Sequence, residues 1–107
     1  MEMDKDKIYV SHILQAITLI ESFVAGKTLE DFENDPMLNS AVARQIEIIG
    51  EASKRLSAEF KKSLGQLPWS NIAGMRDFLI HDYAKVEMSE VWNAATIDIK
   101  TLKEALQ

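Results

Sequence analysis

Apolar residues return every three or four positions along almost the whole of this 107-residue chain. Helices bury such a pattern on one side, and strands do not. From Asp4 to Ala25 the series is Tyr9, Ile13, Ala16, Ile17, Ile20, Phe23 and Val24, and Gly26 supplies a C-terminal stop. Thr28 to Phe32 reads as a short capped turn, with Thr28 as N-cap and acidic residues following it. Asp35-Pro36 starts a second long helix, an N-cap followed by proline at the first helical position. Its stripe of Leu38, Val42, Gln45, Ile46, Ile49, Ala52 and Leu56 predicts a run to about Glu59. Ser63 to Pro68 breaks the pattern. A third helix opens near Trp69 to Asn71 and carries Ile72, Met75, Phe78 and Leu79; a turn at Tyr83 to Glu87 follows. The last helix starts at Ser89 or Met88 and presents Val91, Trp92, Ala95, Ile99, Leu102 and Leu106. With no run of period two, the expected fold is all-α: an antiparallel bundle of four main helices plus a short extra helical turn, one domain over residues 1–107.

Charge and composition narrow the function. Twelve Lys and Arg stand against 17 Asp and Glu, a net charge of -5. That balance argues against coating nucleic acid by charge alone, and leaves room for a local basic groove. The chain has no cysteine, which removes disulfides, thiol catalysis and cysteine metal sites. MEMDKDKIYV lacks the basic-then-apolar order of an export signal, and no apolar run approaches the ~20 residues of a bilayer span. A soluble, cytoplasmic protein is expected, with no membrane contact. At this length a single core is modest, so dimerisation is a natural supplement.

Among titratable residues, His12 sits mid-helix with no partner at metal-ligand spacing and reads as structural or surface. His81 is different, because Arg76, Asp77, His81, Asp82 and Tyr83 crowd into one short stretch. At ~100° per residue, Arg76 and Tyr83 fall within ~20° of one face, whereas Arg76 and His81 lie ~140° apart. Either the helix ends near His81, or Arg and His meet across two chains. Without a metal, an imidazole can move a proton to or from a ribose 2′-OH or a leaving 5′-oxygen. A guanidinium can hold phosphate oxygens and offset charge on the phosphorane. Arg76 and His81 therefore suit RNA cleavage by the RNA's own 2′-hydroxyl. The plainer alternative is that Arg76 pairs with Asp77, Asp82 or another acid while His81 caps a helix.

Arg76-x-x-x-x-His81-x-Tyr83 resembles the R-x-x-x-x-H-x-Y signature of the HepT-like branch of the HEPN superfamily. Arg44 to Ala52, Leu67-Pro68-Trp69 through Gly74-Met75, and Val91-Trp92 resemble the blocks around that motif, so the likeness spans about Tyr9 to Leu106. It implies a helical homodimer with both motifs lining one cleft, acting as a metal-independent ribonuclease toxin that needs no cofactor. It further implies a partner, a minimal nucleotidyltransferase antitoxin of the MntA type, which transfers AMP to the motif tyrosine. By position Arg76 and His81 would be catalytic and Tyr83 the modified residue. Asp77 takes a slot where Asn is frequent in the family; a carboxylate there would repel RNA phosphate more than an amide.

Supporting residues are read in two ways. Arg44, Glu47 and Glu51 either pair along one helix surface, or Glu47 or Glu51 orients Arg76 from the neighbouring helix. Trp69 and Trp92 read as core or interface anchors. Lys54, Arg55, Lys61 and Lys62 complement the end of the second helix and are available to guide RNA. The competing function is a non-catalytic helical dimer that binds a minimal nucleotidyltransferase and a nucleotide without cutting RNA.

Overall fold

Gly26, Asp35-Pro36 and Pro68 divide the chain where the apolar pattern pauses. In the computed structural model, which describes backbone for residues 2–81 and 87–107 and side chains for 4–77 and 87–107, those positions separate helices. These are α1 (Glu2–Val24), α2 (Leu29–Asn34), α3 (Pro36–Arg55), α4 (Ala58–Ser63), α5 (Trp69–His81), α6 (Met88–Asn93) and α7 (Ile99–Leu106). A π-helical turn, Ala94–Asp98, joins α6 to α7 into one rod. The described residues are all-α, as expected.

Local signals explain most boundaries. Gly26 takes φ +72, the left-handed conformation that closes α1 cheaply for glycine alone. Thr28 and Asp31 form a reciprocal capping box at the start of α2. The Asp35 carboxylate accepts the Leu38 N–H at 3.2 Å, with Pro36 opening α3.

The second long helix stops short of the expected Glu59. α3 ends at Arg55, Leu56 turns extended and buried, and Ser57 caps a separate α4 by accepting the Phe60 N–H at 3.1 Å. The cause is tertiary. Asp6 of α1, only 5% exposed, accepts both the Ser57 N–H and its hydroxyl at 2.7 Å, which pulls the chain out of helical register. Among the described residues the bundle therefore has two short helices, α2 and α4, where one was expected.

α3 is the central element, packed on α1 along one side and α5 along the other, while α6, the π turn and α7 close over α1 and α2. The predicted stripes meet in one core of Ile13, Ile17, Ile20, Val42, Ile46, Ile49, Val91, Ala95, Ile99 and Leu102. Phe32 is fully buried with Trp92 tilted against it at 5.2 Å, and the Trp69 indole donates to the Lys61 and Leu64 carbonyls, so both tryptophans serve packing. The side chains of Phe78 and Leu79, and the turn from Tyr83 to Val86, lie outside the described residues. Among the described residues no helix is long and apolar enough to cross a membrane.

Candidate active site

Arg76 lies at a close contact of α5 with α3, and a glycine makes that approach possible. A Cβ placed on Gly50 would overlap the Arg76 Cβ, and would sit 3.0 Å from its Cγ and 3.2 Å from the Ile72 carbonyl. The two backbones can meet only because Gly50 has no side chain. Gly50 therefore sets where the guanidinium begins its reach.

Neighbouring carboxylates then set where it ends. Arg76 Nη2 pairs with Glu51 Oε2 at 3.1 Å, and Nη1 with Asp77 Oδ1 at 3.0 Å. Lys54 reaches the same Asp77 oxygen at 2.6 Å, and Arg55 Nε holds the other Glu51 oxygen at 3.2 Å. Arg76 is about one-quarter exposed, so its outer edge stays open to solvent. The Lys54 ammonium, and after it the Arg76 guanidinium, hold the Asp77 carboxyl below its ordinary value. Asp77 is thus a carboxylate already shared by two cations, which weakens its repulsion of a phosphate. Lys54 serves that pairing as well as the end of its helix.

The two readings of the upstream acids both hold in part. Glu47 pairs with Arg44 along α3 at 3.4 Å, the plain surface arrangement. Glu51 pairs within α3 and also grips Arg76 across the helix boundary. Arg76 does pair with Asp77, as the plainer alternative held, and that pairing leaves it on the cleft surface. His81 is the last described residue of α5; its side chain, Asp82 and Tyr83 lie outside the described residues.

Sequence reading missed the wall facing Arg76. Tyr9, His12, Arg44, Glu47, Glu51, Arg55 and Arg76 surround a cleft of about 220 Å³ between α1, α3 and α5. Tyr9 and His12 meet edge to face at 5.9 Å. Tyr9 and then Glu51, beside the Arg55 guanidinium, raise its pKa. Tyr9 and His12 are three apart on α1, a signal that the two share a face, but only packing shows that the face meets Arg76. Among the described residues no group of three or more His, Asp or Glu is arranged to hold a metal ion.

A guanidinium fixed at a close helix contact lies five residues before a histidine on the same helix, the spacing of the motif on which the resemblance rested. Residues 13–107 match the family described as Ribonuclease HepT-like. The chain belongs to the HepT-like ribonuclease family. Among its relatives, a putative RNase of Caldanaerobacter subterraneus subsp. tengcongensis is 42% identical over 109 residues, covering 98% of this chain and 97% of that protein. A probable ribonuclease HepT of Thermococcus cleftensis is 43% identical over 97 residues, covering 91% and 88%. A gamma-glutamylcyclotransferase and putative RNase of Methanocaldococcus jannaschii is 46% identical over 105 residues; the match takes in 97% of this chain but only 47% of that protein. No solved structure matches.

Proposed function

We propose that this HepT-like chain is a metal-independent endoribonuclease, the toxin of a toxin–antitoxin pair, with Arg76 and His81 as its catalytic residues in a cleft shared by two copies. The observation that carries the reading is Arg76 itself: seated on Gly50, braced by Glu51 and Asp77, and partly open to solvent. A braced guanidinium loses little freedom when it meets a phosphate, so it is preorganised for charge that grows in the transition state.

In this mechanism a ribose 2′-oxygen attacks the adjacent phosphorus, forming the P–O2′ bond as the P–O5′ bond breaks. His81 takes the 2′-OH proton or delivers one to the departing 5′-oxygen, and Arg76 neutralises the phosphorane oxygens. Arg76 and His81 diverge around a straight helix, which favours a site assembled from both protomers of a homodimer. An MntA-type nucleotidyltransferase would silence the toxin by transferring AMP from ATP to the Tyr83 oxygen, releasing pyrophosphate and a proton. The added phosphodiester is an anion two residues from His81 in sequence, available to pair with Arg76 in place of an RNA phosphate.

The deciding experiment is RNA cleavage by purified protein in EDTA. Cleavage by wild type, lost in Arg76→Ala and in His81→Ala, supports the assignment. Absence of cleavage by wild type whose intact mass shows no added AMP would favour the non-catalytic binding dimer. The nucleotidyltransferase part is tested apart from this, since Tyr83→Phe should escape neutralisation.

A further inference from the structure

We propose that the cleft between Tyr9, His12 and Arg76 is a subsite for one unpaired nucleotide of the RNA, next to the phosphate that Arg76 engages. The inference deepens the ribonuclease reading and rests on it. The cleft is continuous with the site, because Arg76 forms one of its walls.

Its chemistry matches a nucleotide in parts. Two aromatic rings, Tyr9 and His12, stand together at 5.9 Å on one wall, and aromatic surfaces of this kind take bases by stacking, whatever the base. The cleft of about 220 Å³ is smaller than the ~300–1,000 Å³ of sites for drug-sized ligands, a scale suited to one base. Arg44 and Arg55 stand at its rim, with side chains 68% and 58% exposed. The Arg44–Glu47 pair, at 3.4 Å, is a loose surface pair that a phosphate can displace. Three arginines against two glutamates give the lining a positive surplus, in a chain whose net charge is -5. This is the local basic groove that an acidic protein needs in order to hold RNA.

The base therefore lies against Tyr9 and His12, and Arg44 and Arg55 take the phosphate one step along the strand from the cleaved bond. The residues act on substrate binding and not on bond-making, so their loss falls on KM.

The test compares wild type, Tyr9→Leu, His12→Ala and Arg55→Gln, with Gln15→Ala, which lines a separate groove along α1, as control. Two readouts are taken: steady-state RNA cleavage, and binding of a single-stranded 2′-deoxy analogue that lacks the attacking hydroxyl. Each cleft variant should raise KM and weaken analogue binding about ten-fold, with a smaller change in kcat, while Gln15→Ala matches wild type. Unchanged KM and unchanged analogue binding in all three variants would overturn the subsite while leaving the ribonuclease intact. If wild type cuts no RNA, the ribonuclease reading fails, and analogue binding alone decides the subsite: a loss confined to the cleft variants supports it, and equal binding overturns it. Melting curves identify any variant that has lost its fold, and the other two then carry the comparison.

Discussion

Gly50→Ala is the sharpest probe of how the site is built. In an ordinary helix interior, Gly to Ala gains about 1 kcal/mol through helix propensity. At Gly50 the new methyl overlaps the Arg76 Cβ and presses on the Ile72 carbonyl. Neither is the free end of a flexible side chain, so α5 must move off α3, and overpacking of this kind costs about 1–3 kcal/mol. Taking the upper end of that range, the net loss is about 2 kcal/mol, or a fall in Tm of roughly 10 °C at fixed protein concentration. Gly74 provides the internal control. It lies within α5, and a methyl added there would meet nothing within 4 Å, so Gly74→Ala should gain about 0.5–1 kcal/mol and melt a few degrees higher. Thermal melts by circular dichroism read both variants. RNA cleavage well below the melting range should fall in Gly50→Ala alone, since Arg76 is displaced. If Gly50→Ala melts with Gly74→Ala and keeps its activity, the close contact at Arg76 is refuted.

Other perturbations separate the site's parts. Glu51→Gln removes the charge from two partly exposed pairs worth less than about 1 kcal/mol, so Tm should hold within a few degrees while kcat/KM for RNA falls about ten-fold; Glu51→Asp should recover part of it. Asp77 titrates below its ordinary value of 3.8, so its contribution to stability is present above about pH 4 and lost as pH falls through the lower folded value. In Lys54→Met the Asp77 carboxyl resonance should titrate at higher pH than in wild type, and an unchanged midpoint would count against the Lys54 contact. Asp6→Ala leaves the Ser57 N–H and hydroxyl without their acceptor, at a cost of about 1.5–3 kcal/mol and a Tm fall of order 10 °C by calorimetry.

Local rules made much of the fold legible. Thr28 with Asp31, Asp35 with Pro36, and Gly26 each act through bonds or dihedrals within a few residues, so their helix ends can be read in order along the chain. The stripes in α1, α3 and the final rod announced the core for the same reason. The end of α3 was not legible, because Asp6, 51 residues away in sequence, decides it. The π turn was also hidden: Thr96 donates to the Trp92 carbonyl at 2.8 Å, and the Ile99 N–H reaches back five residues to Ala94, while the apolar spacing reads as plain helix.

The same division runs through the site. Sequence alone singled out Arg76, His81 and Tyr83 and offered Glu47, Glu51 and Asp77 as support, because motif spacing is a property of the chain. Only packing chose Glu51 over Glu47 as the brace, gave Lys54 to Asp77, and turned Tyr9 and His12 toward Arg76. Those choices depend on how far α3 stands from α5 and α1, and the approach of α5 is fixed by what Gly50 lacks. A one-dimensional pattern records which residues share a helix face; it carries no measure of the gap between two helices.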